Sequence, residues 1–243
     1  MILVQGLSKS FGKLQAVQNV SFSAPDGQIT GLLGPNGAGK STTLRMLYTL
    51  LKPASGTALI DGFDINRAPL EVQRRIGVLA DARGLYARLT TRENIRYFGR
   101  LHGLAGAQLE NQIENLLVLL DMQPIADRKT EGFSTGEKLK VAIARALVHD
   151  PPNVLLDEPT NGLDVMSTRA MRQFILRLRD TGKCVLFTSH IMQEVAALCD
   201  QVVIISQGVV SATGSPDELR RQTGQENLED AFVAAIGSEE GLA

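Results

Sequence analysis

Short apolar segments alternate with polar turns over the first sixty or so residues of the chain. This spacing predicts β-strands at residues 2–7, 14–20, 21–24, 29–33 and 58–65. Strands that alternate apolar and polar positions bury one face only. We therefore expect these segments to form an antiparallel β layer.

Apolar residues recur at helical spacing in the middle of the chain, from about residue 82 to residue 150. Thr90 and Glu93 have the spacing of a capping box, which predicts a helix that begins there. Two more helices are predicted at residues 109–120 and 137–149. The middle of the chain is therefore predicted to be a helical lobe.

Strand-like runs return in the last third of the chain, at residues 154–156 and 185–187, with a helical run at 167–179 between them. A strand, a helix and a second strand in that order are typical of a parallel sheet. Beyond them, the sequence predicts a hairpin at residues 202–212 and an amphipathic helix at residues 228–236. We therefore predict an α/β fold with a mainly parallel sheet.

Size and composition are those of a folded domain. The chain has 243 residues, of which 44% are hydrophobic, so it can bury a substantial core. Its formal charge of −1 indicates no basic surface for nucleic acid. No apolar run approaches the roughly 18 residues needed to cross a bilayer, and the first residues lack a secretion signal. We therefore expect a location in the cytoplasm.

Residues 34–41 read Gly-Pro-Asn-Gly-Ala-Gly-Lys-Ser, between a predicted strand and a predicted helix. This spacing is typical of a loop that cradles phosphates, because glycines let the backbone curl and point several N–H groups at one phosphate chain. The alternative is a glycine-rich turn that binds nothing, and the flanking strand and helix argue against it. The predicted nucleotide-binding residues of the loop are Gly34, Pro35, Asn36, Gly37, Ala38, Gly39, Lys40, Ser41 and Thr42.

Three of these side chains have separate tasks in such a loop. We expect Lys40 to bridge the β- and γ-phosphates and Ser41 to hold Mg²⁺. Thr42 can reach the α-phosphate from the first helical turn, where the helix dipole also favours anions. The sequence therefore predicts that the chain binds a nucleoside triphosphate together with Mg²⁺.

Two adjacent carboxylates, Asp157 and Glu158, follow the apolar run at residues 154–156. Ligands of parallel sheets bind at the carboxyl ends of the strands, where this pair is expected to lie. We expect Asp157 to join the Mg²⁺ shell and Glu158 to orient or deprotonate the attacking water, because adjacent strand residues point apart. His190 follows the run at 185–187 and could donate a hydrogen bond to the γ-phosphate. An unrelated surface pair and a structural histidine are the alternatives.

Four motifs of the chain, in their order and spacing, resemble those of ABC-type ATPases. They are residues 34–42, 134–137, 155–164 and 188–190, and the resemblance spans about residues 2–215. It implies a subunit that binds and hydrolyses ATP, with the ATP enclosed between two copies of the chain in a homodimer. The residues that it implies for contacts to the ATP of the partner copy are Ser134, Thr135, Gly136, Glu137 and Asp164.

Further site residues are implied by the same resemblance. Phe11 matches the aromatic residue that stacks on adenine, with Val17 nearby, and an ordinary core aromatic is the alternative for Phe11. Asp81 aligns with a glutamine of the family and would accept a hydrogen bond from a Mg²⁺-bound water. The implied metal ligands are therefore Ser41, Asp157 and Asp81.

The resemblance also implies the organisation of a single ATP-binding domain. Residues 1–81 and 151–215 would form the nucleotide-binding core with its β layer, and residues 82–150 the inserted helical subdomain. Residues 216–243 would form a C-terminal helical extension.

Among the departures from the signature motif of that family, Thr135 and Glu137 bear on the ATP site. Thr135 stands where glycine is usual, which would cost about 1 to 2 kcal/mol if the backbone were left-handed there. Glu137 stands where glutamine is usual. Its carboxylate should stabilise the first helical turn by roughly 0.3 to 1 kcal/mol, yet it would lie near the γ-phosphate of the partner's ATP. We therefore predict a loose ATP sandwich that tightens in Glu137→Gln.

Residues 76–90 and 140–146 resemble most closely the ATP-binding subunits of two-component bacterial exporters, in particular those that extrude sodium. The implied partner is a transmembrane permease subunit, which would hold the chain at the inner face of the cell membrane. No nucleic-acid partner is implied. Two alternatives stay open: a soluble ABC ATPase that acts on nucleic acid or ribosomes, and a phosphate-loop enzyme that phosphorylates a small molecule. The second would leave residues 134–137 without a purpose.

Overall fold

The computed structural model describes residues 1–80 and 84–237 of the chain. Its strands are β1 (Ile2–Phe11), β2 (Leu14–Ala24), β3 (Ile29–Leu33), β4 (Ser55–Ile60), β5 (Phe63–Asp64), β6 (Ile76–Leu79), β7 (Asn153–Leu156), β8 (Cys184–Ser189), β9 (Gln201–Ser206) and β10 (Val209–Gly214). Its α-helices are α1 (Lys40–Leu47), α2 (Pro69–Arg74), α3 (Thr91–Leu101), α4 (Gly106–Leu119), α5 (Thr135–Leu147), α6 (Val165–Asp180), α7 (Met192–Leu198), α8 (Pro216–Thr223) and α9 (Leu228–Ile236). No helix among these residues is long and apolar enough to cross a membrane.

The strands of the described residues form two sheets. The larger has the order β10-β9-β3-β8-β7-β6, in which β10 is an antiparallel edge strand and the other five run parallel. The smaller sheet, β2-β1-β4-β5, is antiparallel. The predicted α/β fold with an antiparallel layer is therefore confirmed. One expectation was wrong, because β3 lies inside the parallel sheet and not in the antiparallel layer.

The parallel sheet separates two hydrophobic cores. In β8, Val185 and Phe187 pack on the core that contains α4, α5 and α6, whereas Leu186 packs on the core that contains β1, β4 and α1. Successive strand residues point to opposite faces, so each strand contributes to both cores. Because both faces are covered, β3 and β8 are buried along their whole length and read as apolar runs.

Local capping explains where several helices begin. Thr90 Oγ1 accepts a hydrogen bond from the Glu93 N–H at 3.1 Å, and Glu93 Oε2 accepts one from the Thr90 N–H at 2.8 Å. This capping box was predicted, and α3 begins at the next residue. Helices α2 and α7 were not predicted, since six and seven residues are too few to show a helical period.

A stacked pair of histidines joins the helices of the middle region to the parallel sheet. His102 follows α3 and His149 follows α5, and their rings lie 3.6 Å apart with an interplanar angle of 4°. His149 Nε2 lies 3.0 Å from the Ile76 carbonyl oxygen. A carbonyl only accepts, so Nε2 carries the proton. Nδ1 is then a buried acceptor without a hydrogen-bond partner among the described residues. Burial, followed by the neighbouring His102, lowers the pKa of His149 to about 4.

Acid should therefore weaken the fold through His149. An unfolded imidazole has a pKa of about 6.5, so as the pH falls the unfolded chain takes up this proton before the folded chain does. The free energy of unfolding should drop by up to about 3 kcal/mol between pH 7 and pH 4. His149→Gln, whose amide can still donate to Ile76, should lose this share of the pH dependence.

Urea unfolding of wild type and His149→Gln across this pH range measures the effect. Carboxylates titrate equally in both proteins and cancel in the difference. A difference in unfolding free energy that stays the same from pH 7 to pH 4 would contradict the assignment.

Candidate active site

The phosphate-type loop joins the carboxyl end of β3 to the start of α1. Gly37 and Gly39 have φ angles of 80° and 103°, a left-handed backbone that favours glycine. A Cβ at Gly39 would lie 2.4 Å from the Ala16 carbonyl oxygen, and a Cβ at Gly34 would lie 2.2 Å from that of Ile205. Glycine is therefore required at positions 34 and 39 by close packing against β2 and β9, in addition to any approach of phosphate.

A cleft of about 630 Å³ lies over this loop. Its walls include residues 36–42, the carboxylates of Asp157 and Glu158, and the ring of His190. Phe11, at the end of β1, also lines the cleft and is 47% exposed. The volume and the mixture of polar groups with an exposed aromatic ring suit a nucleotide.

Val17 is not on the surface of this cleft. It is 1% exposed and packs in the core, whereas Leu14 and Ala16 line the cleft. Val17 thus faces the opposite side of the strand from Leu14 and Ala16, as adjacent strand residues do, and its expected contact with the nucleotide stays a prediction. Counting in twos along the predicted strand from Leu14 would have found Ala16.

Lys40 brings a buried positive charge to the loop. Its side chain is 6% exposed, and Nζ donates hydrogen bonds to the carbonyl oxygens of Gly34 at 2.7 Å and Pro35 at 3.1 Å. Nζ also lies 3.8 Å from Glu158 Oε1. Burial lowers the pKa of Lys40, and the charges of Glu158 and Asp157 act in the opposite direction. The loop thus holds a desolvated cation where an anion can approach.

Ser41 and Asp157 form a pair of oxygen donors beside Lys40. Ser41 Oγ donates to Asp157 Oδ1 at 3.0 Å, and Thr188 Oγ1 donates to the same oxygen at 2.8 Å. A hydroxyl and a carboxylate are the hard ligands that Mg²⁺ prefers, and one or two protein ligands suffice when phosphates and waters supply the rest. The pair therefore fits Mg²⁺. Asp81, the third expected metal ligand, lies outside the described residues.

Glu158 and His190 meet at the ends of β7 and β8. His190 Nδ1 lies 2.9 Å from Glu158 Oε2, and since an ionised carboxylate only accepts, Nδ1 is the donor. Glu158 has a φ of 47°, a left-handed conformation that costs about 1 to 2 kcal/mol outside glycine. This turn separates the directions of Asp157 and Glu158. The expected reason, strand alternation, was wrong because Glu158 lies beyond the strand.

Thr188 is a site residue to which the sequence analysis assigned no role. Its hydroxyl donates to Asp157 and accepts a hydrogen bond from the Glu158 N–H at 2.9 Å. It therefore holds the Asp157 carboxylate and the backbone of Glu158 in place. A hydroxyl residue at the end of the neighbouring parallel strand was the signal that could have found it.

The signature residues lie at the start of α5, away from the cleft. Ser134 Oγ accepts from the Glu137 N–H at 3.2 Å, and Glu137 Oε2 accepts from the Ser134 N–H at 2.8 Å. The hydrogen bonds of this capping box lower the pKa of Glu137, and the bond from the Ser134 N–H has the largest effect. Thr135 is the first helical residue and is not among the residues with positive φ, so it carries no left-handed penalty.

Gly136 and Asp164 also lie outside the cleft. Gly136 lines a separate groove of about 350 Å³ between α5 and α6. Asp164 caps α6, and its Oδ1 accepts a hydrogen bond from the Ser167 N–H at 2.8 Å. Thus none of the five residues expected to contact ATP of a partner lines the cleft formed by the described part of its own chain.

Sequence comparison finds relatives along most of the chain. A family model described as ABC transporter matches residues 17–161. The ABC transporter ATP-binding protein NatA of Bacillus subtilis (strain 168) is 46% identical over 224 residues, which cover 92% of this chain and 91% of NatA. The linearmycin resistance ATP-binding protein LnrL of the same strain is 35% identical over 246 residues, which cover 98% of this chain and 79% of LnrL.

Solved structures share the fold. An ATP-binding subunit of an ABC transporter aligns with a TM-score of 0.88 at 30% identity and covers 97% of this chain and 99% of its own. The ATP-binding cassette MJ0796, dimeric in a post-hydrolysis state with ADP and Pi, aligns with a TM-score of 0.80 at 26% identity. That alignment covers 88% of this chain and 98% of the cassette.

Proposed function

This chain belongs to the ABC transporter family as an ATP-binding subunit whose ATP hydrolysis is coupled to transport, and we propose that it powers a two-component exporter of Na⁺. The observation that carries the hydrolytic part is the contact series from Lys40 to Glu158 to His190 at the phosphate-binding loop. The sodium part is supported by the resemblance of residues 76–90 and 140–146 to sodium-extrusion subunits.

Each residue of the site has a task in this proposal. Lys40 exchanges its loop carbonyls for phosphate oxygens, and Ser41 with Asp157 would hold Mg²⁺. When bound, Mg²⁺ neutralises charge on the β- and γ-phosphates. Glu158 accepts the proton of the attacking water, and the Nδ1–H of His190 keeps that carboxylate oriented. The products are ADP and inorganic phosphate.

A second copy of the chain completes the site in our proposal. The residues at the starts of α5 and α6 lie outside the cleft of their own chain, and the related cassette MJ0796 is a dimer with ADP and Pi. Both helix starts carry N–H groups and the positive end of a helix dipole, which favour phosphate. ATP bound by one copy would thus be capped by Ser134 and its neighbours from the other.

Glu137→Gln should strengthen ATP-dependent dimerisation several-fold, since the repulsion between two like charges about 4 Å apart in water is about 1 kcal/mol. Glutamine can still accept from the Ser134 N–H, so the cap survives while the charge near the γ-phosphate is lost. Sedimentation with a non-hydrolysable ATP analogue measures the change. Glu218→Gln is the matched control, because Glu218 makes the same capping box with Ser215 in α8. Equal dimerisation of all three proteins would refute the idea.

We propose that the permease subunit contacts the surface formed by Tyr86 and Tyr97. These rings are 48% and 42% exposed and meet edge to face at 5.2 Å. The segment is anchored to α5, since Arg145 Nη1 donates to the Gly84 carbonyl at 2.6 Å. Leu85, the neighbour of Tyr86, is half-buried against the core.

Sodium flux tests the function as a whole. Vesicles that contain the chain with its co-purified membrane protein should move ²²Na⁺ only when ATP is supplied on the side of the ATP-binding subunit. The same vesicles with Glu158→Gln should not. Movement of a drug in place of Na⁺ would overturn only the assignment of Na⁺ as the cargo. Co-purification with ribosomes or nucleic acid, and no membrane protein, would overturn the transporter role.

A further inference from the structure

A buried carboxylate lies behind the strand ends that carry Glu158 and His190. Glu194 of α7 is 1% exposed. Its Oε2 accepts a hydrogen bond from Thr160 Oγ1 at 2.6 Å and a longer one from Ser189 Oγ at 3.4 Å. Its Oε1 faces Arg172 Nη2 of α6 at 3.7 Å. Glutamate is rarely buried to this extent unless such partners hold it.

The two hydroxyl partners are sequence neighbours of the catalytic pair. Thr160 lies two residues after Glu158, and Ser189 lies directly before His190. Ser189 Oγ also accepts a hydrogen bond from the Ile191 N–H at 3.0 Å, so this hydroxyl fixes the backbone on both sides of His190. One carboxylate oxygen therefore connects the turn after β7 with the last residue of β8.

Glu158 needs such support because its backbone is left-handed. Strained conformations of this kind persist only where the surroundings determine them. The buried Thr188 hydroxyl accepts a hydrogen bond from the Glu158 N–H at 2.9 Å. Beyond Glu158, the turn closes through the Asn161 N–H to the Glu158 carbonyl at 3.1 Å. Thr160 lies inside that turn, so the hydrogen bond from Thr160 to Glu194 is a further contact that fixes the turn.

We propose that Glu194 is a positioning residue for ATP hydrolysis. It holds Thr160 and Ser189 so that Glu158 and His190 keep their 2.9 Å contact. Glu194 does not line the cleft formed by the described residues, so it acts through these neighbours. The inference rests on the roles proposed above for Glu158 and His190.

Replacing Glu194 should lower kcat without weakening nucleotide binding. In Glu194→Ala we expect kcat to fall about tenfold or more, since small misplacements of catalytic groups are costly. KM for ATP should stay within about twofold, because the phosphate-binding loop is unchanged. Glu194→Gln should regain at least about half of kcat, since the amide oxygen still accepts from Thr160.

A double-mutant cycle tests whether Thr160 carries the effect. Thr160→Val keeps the buried volume and removes the donor, so it should reduce kcat like Glu194→Ala. The double variant should be no slower than the slower single variant, because both changes remove one interaction. If Glu194→Ala does not fold, the kcat of Thr160→Val by itself tests the proposal.

Leu198→Ala is the control for simple destabilisation of α7. Leu198 is buried on the same helix, so this variant should lower Tm while the folded fraction keeps its kcat. Wild-type kcat in both Glu194→Ala and Thr160→Val would overturn the inference, and so would Glu194→Gln being as slow as Glu194→Ala. Glu158→Gln, assayed in parallel, distinguishes a failure of the role of Glu194 from a failure of the proposed catalytic mechanism. If it alone is inactive, only the role of Glu194 fails, whereas if it turns over normally, the proposed catalytic mechanism fails.

Discussion

Glu158→Gln should bind MgATP at least as tightly as the wild type and lose at least about 100-fold in kcat, the usual contribution of a general base. The amide matches the carboxylate in shape and its oxygen still accepts from His190, so the site keeps its geometry. It cannot accept a proton from water. The change also removes a negative charge that lies 3.8 Å from Lys40 and competes with phosphate for it.

A phosphate-release assay measures kcat, and a titration with nucleotide measures the affinity for MgATP. Glu131→Gln is a matched control, because it neutralises an exposed glutamate of the same fold and should leave both values unchanged. Steady-state hydrolysis by Glu158→Gln at the wild-type rate would remove the role of Glu158 as the base.

Lys40→Ala should lose most of its affinity for ATP. A hydrogen bond to a charged group contributes about 1.5 to 3 kcal/mol, and Lys40 is expected to make two of them to phosphates. The sum predicts a Kd raised about 100-fold or more. The substitution also leaves Glu158 and Asp157 beside the cleft without the buried ammonium that offsets their charge. Repulsion of the phosphates then adds to the loss.

Titration with a fluorescent ATP analogue measures the Kd. Lys52→Ala, at an exposed lysine beyond the end of α1, controls for the loss of one positive charge and should bind normally. Unfolding curves in the absence of nucleotide show whether the fold is retained. A Kd of the variant within about threefold of the wild-type value would show that Lys40 does not bind the phosphates.

Local patterns predicted the elements with strong signals. The capping box at Thr90 marks the start of α3, and the amphipathic stretch at residues 228–236 is α9. Local patterns were less reliable where the position of a strand in the sheet depends on tertiary packing. The run at residues 29–33 has an apolar signal that fits several sheet positions, and its place between β8 and β9 depends on residues far along the chain.

Pairings across the site were only partly predictable. Asp157 and Glu158 were found because two carboxylates after an apolar run are a local signal. Thr188 and Glu194 were not assigned roles, since the sequence near a hydroxyl or a helical glutamate does not show which distant residues it contacts. The left-handed backbone of Glu158 was missed for a related reason, because Thr188 stabilises it from the neighbouring strand.

By itself, the sequence determined the loop at residues 34–41, the helix caps and the chemistry of the candidate site, because these depend on residues close together in the chain. The tertiary structure alone decided that Ala16 and not Val17 lines the cleft, and that Ser41 lies 3.0 Å from Asp157, 116 residues away. Parallel strands make no hydrogen bonds between residues close together in the chain. Their order in the sheet therefore follows from packing two cores on its opposite faces. That order places the side chains from separate strand ends within contact of one another.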